Sequence, residues 1–215
     1  VTIVDACKCK MYMKNFGEFF NNQVENAGTI VLSRTDVADA KKVEADVKML
    51  REQNPNATIV TTPVEQLGGA QLLELIEKPD TMMEELMAQA KAQFEEHHHH
   101  HHDDDDECGC GCGHDHHHHH ADEVFTSWGM ETTIPCTKAD LEAILDELAY
   151  GNGYGDVLRA KGMLPNSEKQ GEWFYFDLVP EEYEIRTGVP DYTGKVCVIG
   201  AKLKEDELNK AFKKN

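Results

Sequence analysis

Histidine and cysteine, whose nitrogen and sulfur atoms bind zinc and similar divalent metals, are concentrated in one stretch of this sequence. All twelve histidines and three of the seven cysteines lie within residues 97–120. This stretch offers no large apolar side chain to a core, so we expect residues 96–121 to form a solvated, disordered linker that captures metal. The predicted metal ligands are His97, His98, His99, His100, His101, His102, Cys108, Cys110, Cys112, His114, His116, His117, His118, His119 and His120.

The spacing of these ligands predicts several overlapping, exchangeable metal sites and no rigid structural site. Cys108, Cys110 and Cys112 are separated by single glycines, whereas closed zinc sites usually show C-x2-C spacing. The ligand set favours zinc, although nickel and cobalt also bind imidazole well. A histidine affinity tag is the alternative interpretation of residues 97–102. The internal position of this run, and the second run at 116–120, argue against a tag.

Composition and charge limit the classes of partner. The 215 residues are 40% hydrophobic, which is enough for one or two globular domains. Their formal net charge of -19 argues against a nucleic acid or an anionic membrane as a partner. No apolar run is long enough to cross a bilayer, and the odd number of cysteines favours a reduced, cytoplasmic setting. Because the sequence begins at Val1 inside a strand-like run, we interpret it as the later part of a longer protein.

Residues 1–95 alternate short apolar strands with helices in the order β-α-β-α-β-α. Such near-continuous apolar strands indicate a parallel sheet that is covered on both faces. Gly28 is expected to cap the first helix. Since ligands bind at the carboxyl ends of the strands in such sheets, those ends are candidate sites. The predicted strands are 1–4, 29–32 and 57–62, and the predicted helices are 10–27, 37–53, 70–77 and 80–95.

The end of the second predicted strand carries the candidate nucleotide-binding residues Ser33, Arg34, Thr35 and Asp36. GTPases place an Asn-Lys-x-Asp motif at this kind of strand end, where the Asp carboxylate accepts hydrogen bonds from N1 and N2 of guanine. Asp36 matches that carboxylate, and Arg34 could replace the lysine because a guanidinium plane stacks well on a base. Ser33 departs from the asparagine of the motif. Alternatively, Thr35 or Asp36 caps the following helix, and the sequence leaves both interpretations open.

No catalytic residues are predicted in these 215 residues. The sequence contains no G-x-x-x-x-G-K-[ST] phosphate loop. The glycines of residues 151–155 are not followed by a lysine, and we expect a turn there. We therefore expect that this stretch alone cannot hydrolyse a nucleotide, because it offers nothing that would hold the β- and γ-phosphates or Mg²⁺.

Residues 122–215 predict a second, small α+β domain with an antiparallel sheet, in the order β-α-β-β-β-β-α. Thr137 is expected to cap the first helix of this domain, with Asp140 at the third helical position. Nothing in the domain resembles a nucleophile paired with a base. We interpret Cys136 and Cys197 as core thiols rather than nucleophiles.

Four further residues could bind ligands. Cys7 and Cys9 form a C-K-C motif, which could serve as an accessory metal pair. Arg159 and Lys161 alternate along a predicted strand. We expect them to form a solvated strand face, although an acidic partner could dock there.

The order of these parts resembles the CobW-type family of P-loop GTPases, the metallochaperones that include cobalamin-biosynthesis CobW proteins and zinc-transfer chaperones. The resemblance implies a partial P-loop GTPase domain over residues 1–95, a metal-binding linker over 96–121 and a CobW C-terminal domain over 122–215. It is carried by the His-rich acidic linker and by the segments VTIVDA (1–6), LSRTD (32–36), FTSWGMET (125–132) and VLRAKG (157–162).

This resemblance also implies a mechanism. Asp36 would select guanine, and Arg159, Lys161 and Gly162 would lie on the family's R-x-K-G strand. The full-length protein would use GTP and Mg²⁺: GTP binding organises a cysteine metal site, hydrolysis releases the metal, and the C-terminal domain docks the acceptor protein. The family's phosphate loop, switch regions, Mg²⁺-binding carboxylate and C-x-C-C motif do not occur in this sequence. The resemblance is compatible with a homo-oligomer.

Two other functions fit the same residues. One is a metal storage or buffering protein without a nucleotide function, and the other is a structural metal-binding linker between interaction domains. Binding of a guanine nucleotide separates the chaperone from both. Reversible binding of several metal ions separates the chaperone and the storage protein from the structural linker.

Metal loading of the chain should fall steeply between roughly pH 7 and pH 5. Histidine, with an ordinary pKa of about 6.5, gains a proton over this range, and the proton occupies the nitrogen that would bind metal. Zinc titrations at both pH values test this, with a control variant in which the histidines of residues 97–120 are replaced by asparagine. Equal stoichiometry and affinity at the two pH values would contradict the expectation.

Overall fold

The computed structural model describes residues 1–77, 81–98 and 125–213, and the side chains of the second range as far as residue 92. Most of both predicted domains lies inside these ranges. The predicted linker lies outside them from residue 99 onward. No helix in these ranges is long and apolar enough to span a lipid bilayer.

In the first domain the described residues form three strands and four helices, namely β1 (Thr2–Asp5), α1 (Cys9–Glu25), β2 (Thr29–Ser33), α2 (Ala40–Gln53), β3 (Thr58–Val60), α3 (Gly69–Glu77) and α4 (Met82–His98), with a 3-10 turn at Val64–Gln66. The strands form one parallel sheet in the order β1-β2-β3. A helix separates each strand from the next, as parallel pairing requires. The predicted alternation of strands and helices, with two helices after the third strand, and the predicted parallel sheet are therefore confirmed.

The first helix ends without the predicted glycine cap. Asn26 closes α1, since its backbone N–H and its side-chain amide both donate to the carbonyl oxygen of Asn22, at 3.2 and 2.9 Å. Gly28 lies two residues later and its φ is not positive. The prediction of a Gly28 cap is wrong because the asparagine amide itself satisfies a carbonyl of the last turn.

One face of the parallel sheet is covered by α1 and α2. Ile30 and Leu32 of β2 are fully buried and belong to the same core as Val43, Val47 and Leu50 of α2. These three residues of α2 recur at intervals of three and four, which places them on one side of a helix.

The opposite face of the parallel sheet is covered by the second domain. Side chains alternate between the two faces of a strand. Val31 and Val60 therefore point away from α1 and α2, and they pack with Met163, Trp173 and Tyr192. The sequence predicts that both faces of the parallel sheet are covered. The structure shows that the second face is covered by the antiparallel second domain, from later in the chain.

Residues 125–213 of the second domain form five strands and two helices, namely β4 (Thr126–Thr132), α5 (Lys138–Tyr150), β5 (Asp156–Pro165), β6 (Trp173–Val179), β7 (Glu182–Gly188), β8 (Gly194–Ala201) and α6 (Glu205–Lys213). The sheet is antiparallel, in the order β4-β8-β5-β6-β7. One face buries Leu141 and Leu145 of α5 and Leu208 of α6. The predicted order is confirmed, as is the cap: Thr137 Oγ1 accepts from the N–H of Asp140 at 3.1 Å.

The other face of the antiparallel sheet carries α4. Leu86 and Ala90 of this helix are buried against Cys197 and Ile199 of β8. The helix continues to His98, beyond the predicted end at residue 95. The element that leads into the predicted metal-binding linker is therefore packed on the second domain, although the sequence assigns it to the first.

Hydrogen bonds fix the loop after β3 to the second domain. The N–H groups of Thr61 and Thr62 both donate to the carbonyl oxygen of Tyr192, at 2.7 and 3.0 Å. The hydroxyl group of Thr61 donates to that of Thr193 at 2.9 Å. Buried N–H groups beyond the end of a strand need acceptors, and here the second domain supplies them.

A second connection between the domains is an ion pair. The guanidinium of Arg51 in α2 donates to both carboxylate oxygens of Glu131 in β4, at 2.7 and 2.9 Å. Arg51 also donates to the carbonyl oxygens of Pro55 and Ala57, both at 2.7 Å. Bidentate pairs of this kind are among the stronger polar contacts in proteins, so the pair holds the end of α2 against β4.

Candidate nucleotide-binding site

The predicted nucleotide-binding residues lie at the carboxyl edge of the parallel sheet. Asp5 ends β1, Ser33 ends β2, and Thr61 directly follows β3. Asp5 and Ser33 are neighbours in the register of the two strands. Because the strands are parallel, the loops that follow them emerge at one edge, which is where ligands bind in open α/β sheets.

Asp39, rather than Thr35 or Asp36, caps α2. One carboxylate oxygen of Asp39 accepts from the N–H groups of Lys41 and Lys42, at 3.0 and 3.4 Å. The alternative that Thr35 or Asp36 caps this helix is therefore wrong. The carboxylate of Asp36 is exposed and forms no hydrogen bond or ion pair with the described part of the chain, so it is available to a ligand.

A cavity of about 310 Å³ lies beside Asp36, between the first domain and the second. This volume falls in the range typical of small-molecule sites. The first domain lines it with the loop after β2, the start of α2 and the loop after β3. From the second domain it is lined by Thr133, Pro165, Gln170, Trp173 and Gly194.

Two buried hydroxyl oxygens that line this cavity have no hydrogen-bond partner among the described residues. They are Oγ1 of Thr35, from the first domain, and Oγ1 of Thr133, from the second. Buried polar atoms in native proteins are almost always hydrogen-bonded, and leaving one unsatisfied costs roughly 1–3 kcal/mol. A polar ligand in the cavity would supply the missing partners.

Ser33 and Arg34 do not line this cavity, because their side chains bind the end of β1. Arg34 has a φ of 59°, in the left-handed region. Its guanidinium pairs with Asp5, with Nε donating to Oδ1 at 2.9 Å. Ser33 Oγ donates to the carbonyl oxygen of Val4 at 3.4 Å. Of the four predicted nucleotide-binding residues, the structure brings only Thr35 and Asp36 together at the cavity.

The predicted metal ligands lie almost wholly outside the described residues. His97 and His98 are the last two residues of α4, and their side chains are not described. The other predicted ligands fall within residues 99–120, outside the described ranges. Within those ranges, no three His, Cys, Asp or Glu side chains are grouped so that they could hold a metal ion.

The cysteines of the two domains are free thiols, and most of them are buried. Cys9, Cys136 and Cys197 are at most 3% exposed. Burial raises the pKa of Cys9 and of Cys136 to about 12, so these thiols stay protonated at neutral pH and are poor nucleophiles and metal ligands. This supports the interpretation of Cys136 and Cys197 as core residues, and it argues against a metal pair formed by Cys7 and Cys9.

The R-x-K-G residues lie in β5, the middle strand of the antiparallel sheet. Arg159 donates to the side-chain oxygen of Gln89 in α4 at 3.0 Å, and Lys161 forms an ion pair with a carboxylate of β6. A Cβ atom on Gly162 would lie 2.4 Å from the ring of Phe176, which leaves no room for a side chain. The strand face that the sequence predicts to be solvated is therefore partly an interface with α4.

The second-domain wall of the cavity is not predicted by the sequence. Thr133 follows β4, Gln170 lies in the turn between β5 and β6, and Trp173 begins β6. No local pattern marks these residues as ligand-binding. They reach the cavity only because the two sheets pack against each other.

Comparisons with known proteins give one domain match and two similar structures. Residues 125–215 match the cobalamin synthesis protein cobW C-terminal domain. No curated protein matches the chain. Similar structures include the Zn(II)-bound YjiA GTPase from E. coli (TM-score 0.39, 19% identity) and a Zn(II)-bound triple mutant of YjiA GTPase (TM-score 0.38, 20% identity). Each similarity covers 99% of this chain, which spans only 59% of the other chain's length.

Replacement of Asp39 by alanine should lower the free energy of unfolding by about 1 kcal/mol, because two N–H groups of the first helical turn lose their acceptor. The matched variant Asp36→Ala should stay within about 0.5 kcal/mol of the unaltered chain, because the Asp36 carboxylate is exposed and makes no contact with a partner in the described ranges. Urea denaturation measures both values. An equal loss of stability in the two variants would contradict the assignment of Asp39 as the cap.

Proposed function

We propose that this chain, whose residues 125–215 match the cobalamin synthesis protein cobW C-terminal domain, is the later part of a CobW-type, GTP-dependent metal chaperone. In this proposal residues 1–95 belong to the GTPase domain and select the guanine base. Residues 96–121 capture the metal, with zinc favoured by the ligand set. Residues 122–215 dock the protein that accepts the metal.

The observation that carries the nucleotide part of this proposal is the carboxylate of Asp36, which has no partner among the described residues and lies beside a cavity at the carboxyl edge of the sheet. Guanine presents the N–H groups of N1 and N2 side by side, and one carboxylate can accept from both. Adenine has no such pair of donors. Because Asp39 caps α2, the carboxylate of Asp36 has no capping role there, and within the described residues its oxygens are available to a base.

We further propose that the GTPase domain contains more strands than these 215 residues supply. Within the described residues β1 pairs only with β2, so its other edge is open. Next to this edge lies a largely apolar cavity of about 540 Å³, and Ile3 and Phe19, which line it, are 73% and 72% exposed. Open edges and exposed apolar patches mark surfaces that other elements cover. Additional strands there would bring the groups that hold the phosphates and Mg²⁺.

The metal part of the proposal rests on composition and on the position of α4. The histidines and cysteines of residues 97–120 begin at the last two residues of α4 and continue directly after it. This helix is held on the second domain by the buried residues Leu86 and Ala90 and by the hydrogen bond from Arg159 to Gln89. Metal captured by the tract would therefore enter a segment tethered to the domain that docks the acceptor. Exchangeable sites suit metal transfer, because the metal can leave its histidine and cysteine ligands one at a time.

Asp36→Asn should change the base preference from guanosine to xanthosine. Xanthine carries a carbonyl oxygen in place of the amino group of guanine, and the asparagine amide can donate to it. The unaltered chain should bind guanosine at least about tenfold more tightly than xanthosine or adenosine, since hydrogen bonds to a charged group contribute roughly 1.5–3 kcal/mol. Isothermal titration calorimetry with the three nucleosides measures the preference.

The matched control is Asp39→Asn, because asparagine caps helices as well as aspartate and Asp39 does not line the cavity. It should leave the base preference unchanged. If the unaltered chain bound no nucleoside, or bound all three equally, the proposed nucleotide function would be contradicted. A metal storage or buffering protein would then be the better account.

A further inference from the structure

We propose that the second domain forms one wall of the nucleobase site, with Thr133 and Gln170 as its polar contacts to the base. This inference rests on the proposed guanine site around Asp36. It adds a second group of residues, from a domain whose proposed role is to dock another protein. The base would then be bound by both domains at once.

The first step of the argument is the shape of the cavity. Asp36 and Thr133 line the same cavity from different domains, so a base that reaches Asp36 is also enclosed by the second domain. Gln170 lies on the exposed turn between β5 and β6, next to the left-handed Gly171. Its side chain is free to adjust to a ligand without disturbing the core.

The second step is that this wall is fixed in place. Trp173 is 5% exposed and packs with Val31 and Val60 of the parallel sheet. The hydrogen bonds of Thr61 and Thr62 to Tyr192 hold the loop after β3, which lines the cavity, to the second domain. The two walls therefore belong to one packed unit, and the cavity keeps its shape.

The third step is chemical complementarity. When a carboxylate accepts from N1 and N2 of guanine, the acceptors O6 and N7 still need donors. The hydroxyl group of Thr133 can donate, and its oxygen is buried at the cavity without a hydrogen-bond partner among the described residues. The amide of Gln170 can donate as well. The second domain thus offers hydrogen-bond donors to O6 and N7 of a guanine that is bound by Asp36.

A composite site has a thermodynamic consequence. A ligand that contacts both domains stabilises their packing by the free energy of the contacts it adds, and the packing strengthens ligand binding by the same amount. Occupation of the base site would therefore be sensed directly by the proposed docking domain.

The test is guanosine binding to the full chain by isothermal titration calorimetry. Thr133→Val keeps the size of the side chain and removes its hydroxyl group, and it should weaken binding about fivefold, the effect of one hydrogen bond. Gln170→Ala should weaken it by about two- to fivefold. The control is Thr187→Val, on the exposed face of β7 and outside the cavity, which should bind as the unaltered chain does.

The outcomes separate this inference from the proposed function. Loss of guanosine binding in Asp36→Asn together with normal binding in Thr133→Val and Gln170→Ala would overturn the composite site and leave the guanine site standing. No guanosine binding by the unaltered chain would overturn both. Should Thr133→Val fail to fold, as judged by its thermal unfolding, Gln170→Ala decides alone, because this exposed turn residue contributes nothing to the core.

Discussion

The N–H groups of Thr61 and Thr62 find their acceptor in a different domain, and the arrangement of the whole molecule depends on that contact. Strand β3 ends at Val60, and the two threonines that follow are only 6% and 4% exposed. Without the carbonyl oxygen of Tyr192 their N–H groups would be buried and unsatisfied, at a cost of roughly 1–3 kcal/mol each. The second domain therefore completes the parallel sheet.

This contact has two consequences for the arrangement of the domains. It places the loop after β3 beside Thr133 and Trp173, so that the cavity next to Asp36 acquires a second wall. It also fixes the antiparallel sheet that carries α4, the helix that precedes the metal-binding tract. Base recognition, metal capture and protein docking, as proposed, would all involve groups held to the same antiparallel sheet.

Local sequence predicted the elements well, because each rests on patterns a few residues long. The spacing of Val43, Val47 and Leu50 indicated a buried helix face, and Thr137 indicated a cap, and both are confirmed. The availability of Asp36 could not be predicted, because aspartates at positions 36 and 39 offer the same chemistry to a helix start. Only the backbone geometry shows that the later one caps α2. The cover of the parallel sheet by the second domain depends on packing between distant segments, which no local pattern encodes.

The most direct test of this account is amide hydrogen exchange at Thr61 and Thr62. If the second domain holds the loop after β3, both amides should exchange only on global unfolding, with protection equal to that of Val31 in the centre of the parallel sheet. Rapid exchange at Thr61 and Thr62 while Val31 stays protected would show that the domains separate in solution. That result would contradict the composite arrangement.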